Sequence, residues 1–364
     1  MTRPIYDIAR TYQQNLEEGP FFDGEIPTRT LPPREEWVDF LGIPVASRLG
    51  VAAGPLLDSK WIKFAADLGF DILTYKTVRS HPHPAYFPNI LFLDENRKSG
   101  ETIYQRHDLP PQEEISITNS FGNPTQSDAF LAKDVPAAID SVGPGQAFVS
   151  SIVGTPRSDI SMQGDFVVAS SRAKEWGSPV VEANFSCPNV KSADGCLYQS
   201  PEAFATIGRA LVKALGDTPL IVKMGAITDP VLLRKILIEA ARAGVRAIAG
   251  INTVKMRVLN DKNVSPLGPD RPFSGACGNV VRETGLKFVR LARTIIDREK
   301  LDLTLIGLGG ILLPEHFDQF LEYADFAQLA TGMMWDPLIA SKWRNLCLKR
   351  SYATSTPSSL APLP

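Results

Sequence analysis

The sequence has little cysteine, little histidine and no excess of charge of either sign. Of its 364 residues only four are cysteines and four are histidines. So few and so scattered cysteines exclude a disulfide-stapled scaffold and a zinc ribbon, and they favour a reduced, cytoplasmic protein. Two of the histidines, His81 and His83, alternate with prolines in a segment typical of a loop. No metal site is predicted.

Charge and hydropathy exclude further classes of protein. The chain has 38 basic and 40 acidic residues, a net charge of −2 that gives no sign of a nucleic-acid or membrane-surface partner. No run approaches the roughly 18 apolar residues that cross a bilayer. The first 20 residues lack the apolar segment of a signal peptide. No membrane anchor is therefore predicted, and the 44% hydrophobic content suits one large core.

Short apolar runs alternate regularly with longer amphipathic stretches. The predicted strands are 48–53, 71–76, 147–153, 179–185, 219–224, 246–251, 303–306 and 325–329. The predicted helices are 59–68, 128–142, 161–176, 201–215, 229–243, 280–298, 314–323 and 336–349. Eight alternations predict an α/β fold of the (β/α)8 TIM-barrel type, with an open doubly wound sheet as the alternative.

The remaining segments divide the chain into three parts. Residues 1–46 form an N-terminal extension, 47–350 the barrel and 351–364 a predicted flexible tail. Two long segments interrupt the barrel rhythm, 78–127 after the second strand and 253–278 after the sixth. Such long loops in a compact domain are usually functional or disordered.

Polar residues and glycines follow the last apolar residue of most predicted strands. In a TIM barrel those positions surround the active site. Two lysines, several amides and a glycine pair around one cavity suit a planar, anionic ligand rich in heteroatoms. Gly309, Gly310 and Thr331 lie where barrels commonly bind phosphate. The third glycine of a dinucleotide fingerprint is absent, which favours a mononucleotide or a sugar phosphate.

The order of these motifs resembles the dihydroorotate dehydrogenase family over roughly residues 47 to 337. The matching motifs are AAG at 52–54, KT at 76–77, NSFG at 119–122, NFSCPN at 184–189, VK at 222–223, INT at 251–253, FSG at 273–275, GLGGI at 307–311 and ATG at 330–332. The resemblance implies an FMN-dependent (β/α)8 enzyme that oxidises dihydroorotate to orotate in the synthesis of UMP.

The resemblance also implies a role for individual residues. The FMN site would comprise Ala53, Gly54, Lys76, Thr77, Asn184, Lys223, Ile251, Gly275, Gly309, Gly310 and Thr331. The substrate site would comprise Lys76, Asn119, Ser120, Phe121, Gly122, Asn123, Asn184, Asn189, Asn252 and Thr253. Amides suit a pyrimidine dione because they carry both a donor and an acceptor.

Two of the implied residues would carry the chemistry. Cys187 would take the proton from C5 of the substrate while the hydride of C6 passes to flavin N5. A thiol with an ordinary pKa of about 8.5 is poorly ionised at neutral pH, so nearby donors should assist it. Lys223 would stabilise the anionic reduced flavin at its N1/O2 edge.

Several departures from the family pattern leave the substrate and the oxidant open. Ala85 and Asn123 differ from the usual residues, the 78–127 segment is longer, and Ala330 replaces a glycine. A flavin-dependent oxidoreductase of another dihydropyrimidine or cyclic amide is therefore an alternative, and a non-catalytic FMN-binding barrel is another. The cysteine base favours a homodimer that uses fumarate or another soluble acceptor. An NAD-linked form with an iron–sulfur partner subunit comes second.

Cys187→Ala should leave FMN binding intact and abolish dihydroorotate oxidation, because only the base is removed. The expected loss of turnover is about 10²–10⁴-fold. The measurement is steady-state oxidation with an artificial electron acceptor, and full turnover by the variant would exclude the thiol from the mechanism.

Overall fold

The computed structural model describes residues 4–186 and 197–355, with side chains as far as Leu348. The strands are β1 (Val38–Phe40), β2 (Ile43–Val45), β3 (Leu49–Val51), β4 (Ile72–Val78), β5 (Leu93–Ser99), β6 (Thr102–Gln105), β7 (Ser116–Asn119), β8 (Ala147–Ile152), β9 (Val181–Asn184), β10 (Leu220–Met224), β11 (Ala247–Gly250), β12 (Val254–Leu259), β13 (Phe273–Gly278), β14 (Thr304–Gly307) and β15 (Phe326–Leu329). The α-helices are α1 (Tyr12–Glu18), α2 (Ser59–Asp67), α3 (Asp128–Asp140), α4 (Met162–Glu175), α5 (Pro201–Leu215), α6 (Pro230–Ala243), α7 (Arg282–Glu299), α8 (Pro314–Leu321), α9 (Thr331–Trp335) and α10 (Ile339–Ser355).

Eight parallel strands of the described chain close into a barrel. Their order around it is β3, β4, β8, β9, β10, β11, β14 and β15, and β15 pairs with β3 to complete the circle. These are the eight strands predicted from the sequence, with ends that differ by at most two residues. The predicted (β/α)8 barrel is therefore confirmed. All its strands point the same way, so their carboxyl ends meet at one rim.

The helices that return the chain between strands begin and end at side chains suited to those positions. The Ser200 hydroxyl accepts a hydrogen bond from the Ala203 N–H at 3.2 Å at the start of α5. The Asp229 carboxylate accepts one from the Val231 N–H at 2.8 Å at the start of α6. Such caps satisfy N–H groups that have no partner inside the helix. Gly244 ends α6 in the left-handed region, with φ +85°.

The lower half of the barrel interior is apolar. Side chains from several strands, among them Ile72, Val149, Ile221 and Ile306, form one buried cluster. The hairpin β1–β2 covers the bottom of this cluster, where the Phe40 ring packs edge-on against Phe326 at 5.0 Å. Polar side chains inside the barrel are thereby displaced towards the carboxyl rim.

The two predicted long loops contain strands that pair with each other. Segment 78–127 supplies β5, β6 and β7, segment 253–278 supplies β12 and β13, and their order is β5-β6-β12-β13-β7. The buried face of this five-stranded sheet holds Leu93, Ile103, Met256, Val258 and Ala276. We call this five-stranded unit the cap sheet. The two long insertions lie where the sequence predicted them, but their strands were not predicted because the apolar partners of each segment lie in the other segment.

The N-terminal extension and the C-terminal region differ in part from expectation. The extension contains α1 and the hairpin β1–β2, neither of which was predicted. The last helix, α10, extends to Ser355, five residues into the predicted tail, and residues 356–364 lie outside the described part. Among the described residues, no helix has both the length and the apolar composition needed to cross a membrane.

A buried carboxylate joins the extension to the bottom of the barrel. Asp71 is fully buried before β4, and its oxygens accept hydrogen bonds from Arg29 at 2.7 Å, Ser47 at 2.5 Å and Arg344 at 2.6 Å. Asp71→Ala should lower the free energy of unfolding by about 3–5 kcal/mol, because two partly buried guanidinium groups lose their counter-charge. Urea denaturation followed by circular dichroism measures this.

The matched control is Asp261→Ala. Asp261 forms an ion pair with Arg97 at 2.7 Å, but both side chains are largely exposed. An exposed pair contributes only about 0–1 kcal/mol. Equal losses in the two variants would contradict the structural role given to Asp71.

Candidate active site

A cavity of about 820 Å³, including its open mouth, lies at the carboxyl rim of the barrel. Three parts of the chain enclose it. The barrel strands supply its floor, the cap sheet supplies one wall through residues such as Asn119 and Thr253, and the N-terminal extension contributes Tyr6. The cavity therefore lies where the sequence predicted the functional residues to converge.

Lys223 is a buried cation in the floor of this cavity. It lies on β10, paired in register with Asn184 on β9 and Ala249 on β11, and is only 4% exposed. Its ammonium forms no hydrogen bond or ion pair with any residue of the described chain. A buried charge without a partner costs several kcal/mol. The Lys223 ammonium in the cavity floor therefore suits a ligand that has a negatively charged edge or an edge of hydrogen-bond acceptors.

Lys76 provides a second ammonium at the same cavity. It lies on β4, is 5% exposed, and its Nζ is 5.1 Å from the centre of the Phe121 ring. An aromatic face attracts a cation through its quadrupole and holds it in place. The two lysines come from different strands and both line the cavity.

Three polar residues at the ends of β9 and β11 form a hydrogen-bonded group. The Asn184 Oδ1 accepts from the Ser186 N–H at 3.1 Å and from Asn252 Nδ2 at 3.2 Å. Asn252 Nδ2 also lies 3.2 Å from the Ser186 carbonyl oxygen, to which it donates. The Asn252 side chain therefore fixes the chain at the residue that precedes Cys187.

A second polar group lies inside the barrel below the cavity. The Ser151 hydroxyl donates to the Glu182 carboxylate at 2.9 Å and lies 2.9 Å from the Thr77 hydroxyl. Gln328 faces the same interior and donates to the Thr74 hydroxyl at 3.3 Å. Its Oε1 is buried and has no hydrogen-bond partner among the described residues. Buried acceptors are usually satisfied, so this oxygen marks a place where a donor is missing.

Two glycines line the side of the cavity formed by the segments after β14 and β15. Gly309 and Gly310 have φ of +117° and +92°, in the left-handed region that favours glycine. A Cβ on Gly310 would lie 2.5 Å from the Cβ of Arg282, so no side chain fits there. Thr331 and Cys277 also line this side. Burial raises the pKa of the Cys277 thiol to about 11, so it stays protonated.

Most residues predicted for the site line the cavity. From the predicted FMN set these are Ala53, Gly54, Lys76, Lys223, Ile251, Gly309, Gly310 and Thr331. From the predicted substrate set they are Lys76, Asn119, Phe121, Asn252 and Thr253. Their binding roles stay predictions, but the fold brings them together.

The other described residues of the predicted sites are not among the lining residues. Thr77 and Asn184 belong to the polar groups described above, and Gly275 lies against the Thr253 side chain. The Ser120 hydroxyl accepts from Arg271, Gly122 lies against the Tyr86 ring, and the Asn123 carbonyl accepts from the Thr125 hydroxyl. Cys187 and Asn189 lie outside the described residues.

Sequence reasoning missed Tyr6, Cys277 and Gln328 among the lining residues. Gln328 could have been found, because it is an amide at an inward position of an otherwise apolar strand. Cys277 was noticed only as one of four scattered thiols. No sequence pattern indicated Tyr6, because nothing in residues 1–46 shows that the extension folds back to the barrel rim.

Comparison with known proteins identifies one family. The family model for dihydroorotate dehydrogenase matches residues 157–343. A dihydroorotate dehydrogenase of Dictyostelium discoideum is 42% identical over 361 residues, which cover 95% of this chain and 98% of that protein.

Two further proteins are similar over a smaller part or at lower identity. The subunit PreA of an NAD-dependent dihydropyrimidine dehydrogenase from Escherichia coli K12 is 36% identical over 169 residues, 44% of this chain and 40% of that protein. A crystal structure of DHODH from Eimeria tenella in complex with ferulenol covers 88% of this chain and 86% of its own, with a TM-score of 0.70 and 16% identity. That likeness concerns the fold.

His316 supports the turn that follows the glycine pair. Its Nδ1 accepts from the Leu312 N–H at 3.2 Å and the Leu313 N–H at 3.3 Å. Burial and the neighbouring Arg282 guanidinium lower the pKa of His316 to about 4.

The protein should therefore lose stability as the pH falls from about 6.5 towards 4. In that window the unfolded chain binds a proton at His316 that the folded chain does not, which adds a slope of at most about 1.4 kcal/mol per pH unit. His316→Gln should flatten the pH dependence of urea unfolding between these values. His107→Gln is the control, because His107 is 65% exposed, and an equal flattening there would contradict the assignment.

Proposed function

This chain belongs to the dihydroorotate dehydrogenase family, and from that membership we propose that it oxidises dihydroorotate to orotate with FMN bound in the barrel cavity. It is an oxidoreductase of that family. The reaction serves pyrimidine (UMP) synthesis. The 42% identity to the Dictyostelium protein extends over nearly the whole of both chains, so it includes the extension and the cap sheet as well as the barrel.

One observation carries the proposal, the buried and unpartnered ammonium of Lys223 in the cavity floor. A reduced flavin carries negative charge at its N1/O2 edge, and a fixed cation beside that edge stabilises it. In a site largely closed to water such an interaction is much stronger than in solution. No side chain of the described chain competes for the ammonium.

Other features of the cavity fit FMN. The buried Gln328 Oε1 and Thr253 Oγ1 have no hydrogen-bond partner in the described part of the chain, and both suit a heteroatom-rich ring. Gly309, Gly310 and Thr331 line the cavity together, and we assign the phosphate to this side. The remaining proposed FMN contacts are Ala53, Gly54, Lys76, Thr77, Asn184, Ile251 and Gly275. Bound FMN would supply the hydride acceptor for C6 of the substrate.

The substrate would lie between the cofactor and the cap sheet. Lys76 faces the cavity from β4 and suits the carboxylate of dihydroorotate, because charge-assisted hydrogen bonds to an ammonium are among the strong ones. Asn119, Asn252 and Thr253 line the same space and suit the alternating N–H and C=O groups of the ring. Asn184, Asn189 and the segment 120–123 complete the proposed substrate site.

Cys187 is the proposed base that takes the proton from C5. It follows Ser186, whose carbonyl oxygen accepts from Asn252 Nδ2. Asn252 would thus act twice, through its own contact with the substrate and through its support of the chain before the base. Removal of the C5 proton by the thiolate and departure of the C6 hydride together yield the C5–C6 double bond of orotate.

The electron acceptor, the assembly and the location are also proposals. The cysteine base favours a cytoplasmic homodimer that passes electrons to fumarate or another soluble acceptor. The four scattered cysteines of the sequence agree with a reducing compartment. An NAD-linked form with an iron–sulfur partner subunit is the second possibility.

The alternative substrate is another dihydropyrimidine. The PreA subunit, named for a dihydropyrimidine dehydrogenase, supports it with 36% identity over 44% of this chain. The longer match to a dihydroorotate dehydrogenase favours the first candidate.

An anaerobic substrate titration separates the candidates. The FMN-loaded protein should lose its flavin absorbance near the visible maximum when dihydroorotate is added, because the flavin becomes reduced. Bleaching by dihydrouracil but not by dihydroorotate would favour the alternative substrate. Bleaching by neither would overturn the proposed function.

A titration of the flavin-free protein with FMN, followed by flavin fluorescence, tests Lys223→Ala. Loss of a charged hydrogen-bond partner should weaken FMN binding by about 10- to 100-fold. Lys235→Ala, which changes an exposed lysine on α6, is the matched control. Equal FMN affinity in the two variants would contradict the role of Lys223.

A further inference from the structure

The N-terminal extension reaches the cavity through Tyr6. Tyr6 is 1% exposed and is one of the cavity-lining residues. The preceding residue, Ile5, donates its N–H to the Met334 carbonyl at 2.9 Å, and Met334 lines the cavity as well. The extension is therefore part of the wall of the site.

The extension is held firmly in this position. Asn15 is fully buried; its Oδ1 accepts from the Asp7 N–H at 2.7 Å, and its Nδ2 donates to the Asp7 carbonyl at 2.9 Å. Lys60 on α2 donates from its Nζ to the Leu16 carbonyl at 2.8 Å. Trp61, which is fully buried, packs against the Tyr6 ring at 6.4 Å. These contacts fix the backbone on both sides of Tyr6.

An aromatic contact joins Tyr6 to Lys76. The Tyr6 ring meets Phe121 edge to face at 5.6 Å and 75°, and the Tyr12 ring meets it at 6.2 Å and 78°. Phe121 in turn lies 5.1 Å from the Lys76 Nζ. Edge-to-face contacts fix the orientation of a ring. The extension therefore sets the position of the ring that holds the ammonium.

A hydrogen-bond path joins Tyr6 to the same part of the cap sheet. Asn89 Nδ2 donates to the Tyr6 hydroxyl at 3.2 Å. The Asn89 carbonyl accepts from the Ser120 N–H at 3.0 Å and from the Thr118 hydroxyl at 2.9 Å. These two residues flank Asn119, which lines the cavity. Tyr6 thus supports the segment 118–121 from two directions.

We propose that Tyr6 is a positioning residue for the substrate, which fixes Asn119, Phe121 and the Lys76 ammonium in the geometry that binds the substrate carboxylate and ring. The proposal rests on the proposed function and assigns the N-terminal extension a part in substrate affinity. Tyr6 touches neither Lys223 nor the Gly309–Gly310 side in any contact described above. Of the residues that Tyr6 supports, Asn119 and Phe121 belong to the proposed substrate site alone and Lys76 belongs to both sites, so loss of Tyr6 should weaken substrate binding more than FMN binding.

The test uses the full-length, FMN-loaded protein with Tyr6→Ala and Tyr6→Phe. Orotate affinity, followed by the perturbation of the flavin absorbance, should fall about tenfold in Tyr6→Ala, because the ring contact and the Asn89 bond are both lost. Tyr6→Phe keeps the ring contact and should recover most of that affinity. The KM for dihydroorotate should rise in parallel while kcat and FMN affinity change by less than about twofold.

Tyr323→Ala on the far side of the barrel is the control for removal of a tyrosine ring. It should leave orotate affinity unchanged. A fall of FMN affinity and kcat equal to the loss of orotate affinity in Tyr6→Ala would indicate general damage and overturn the positioning role.

A second measurement does not depend on the identity of the substrate. Hydrogen exchange of peptides that cover residues 116–125 should become faster in Tyr6→Ala than in the parent or in Tyr6→Phe, while peptides from β10 stay unchanged. Unchanged exchange at 116–125 would overturn the proposal even if dihydroorotate were the substrate. Faster exchange together with no orotate binding by the parent protein would overturn only the proposed function.

Discussion

The Lys223 ammonium lies above an apolar barrel core, 4% exposed and without a partner in the described chain. Such a charge is tolerated only where the surrounding structure holds it rigidly, because its desolvation costs several kcal/mol. Parallel pairing with β9 and β11 supplies that rigidity. Apolar side chains below exclude water, and the cap sheet covers the cavity from one side. The packing of the closed barrel thus offsets the cost of holding one cation without a protein partner, where a ligand can bind it.

Three segments that are distant in sequence enclose the same space. The N-terminal extension brings Tyr6, the segment after β4 brings Asn119, and the segment after β11 brings Thr253. Arg271 links two of the segments, because its guanidinium donates to the carbonyls of Phe87 at 3.0 Å and Pro88 at 2.9 Å. The wall of the cavity is therefore continuous, and a change in one segment reaches the others through named contacts.

The sequence was sufficient for the barrel and for the residues at its rim, but not for what covers them. Parallel strands buried on both sides appear in the sequence as short apolar runs between amphipathic helices. Polar residues that follow those runs all lie at the carboxyl rim of the barrel. Lys76, Lys223 and Asn252 were accessible to such reasoning. The strands of the cap sheet were not, since β12 pairs with β6 across more than a hundred residues of sequence and β6 has only four residues. The alternation of Val254, Met256 and Val258 with Lys255 and Arg257 was the one local signal for β12. Tyr6 could not be found because its partners, Phe121 and Asn89, are specified only by the folded chain.

The hairpin β12–β13 from segment 253–278 lies between β6 and β7 from segment 78–127, so both segments are needed to form the sheet. Neither segment can complete a sheet by itself. Without the hairpin, β6 and β7 would each expose an unpaired edge of N–H and C=O groups above the cavity. Insertions or deletions in the two segments should for this reason be inherited together, and relatives that lack one of them should lack the other.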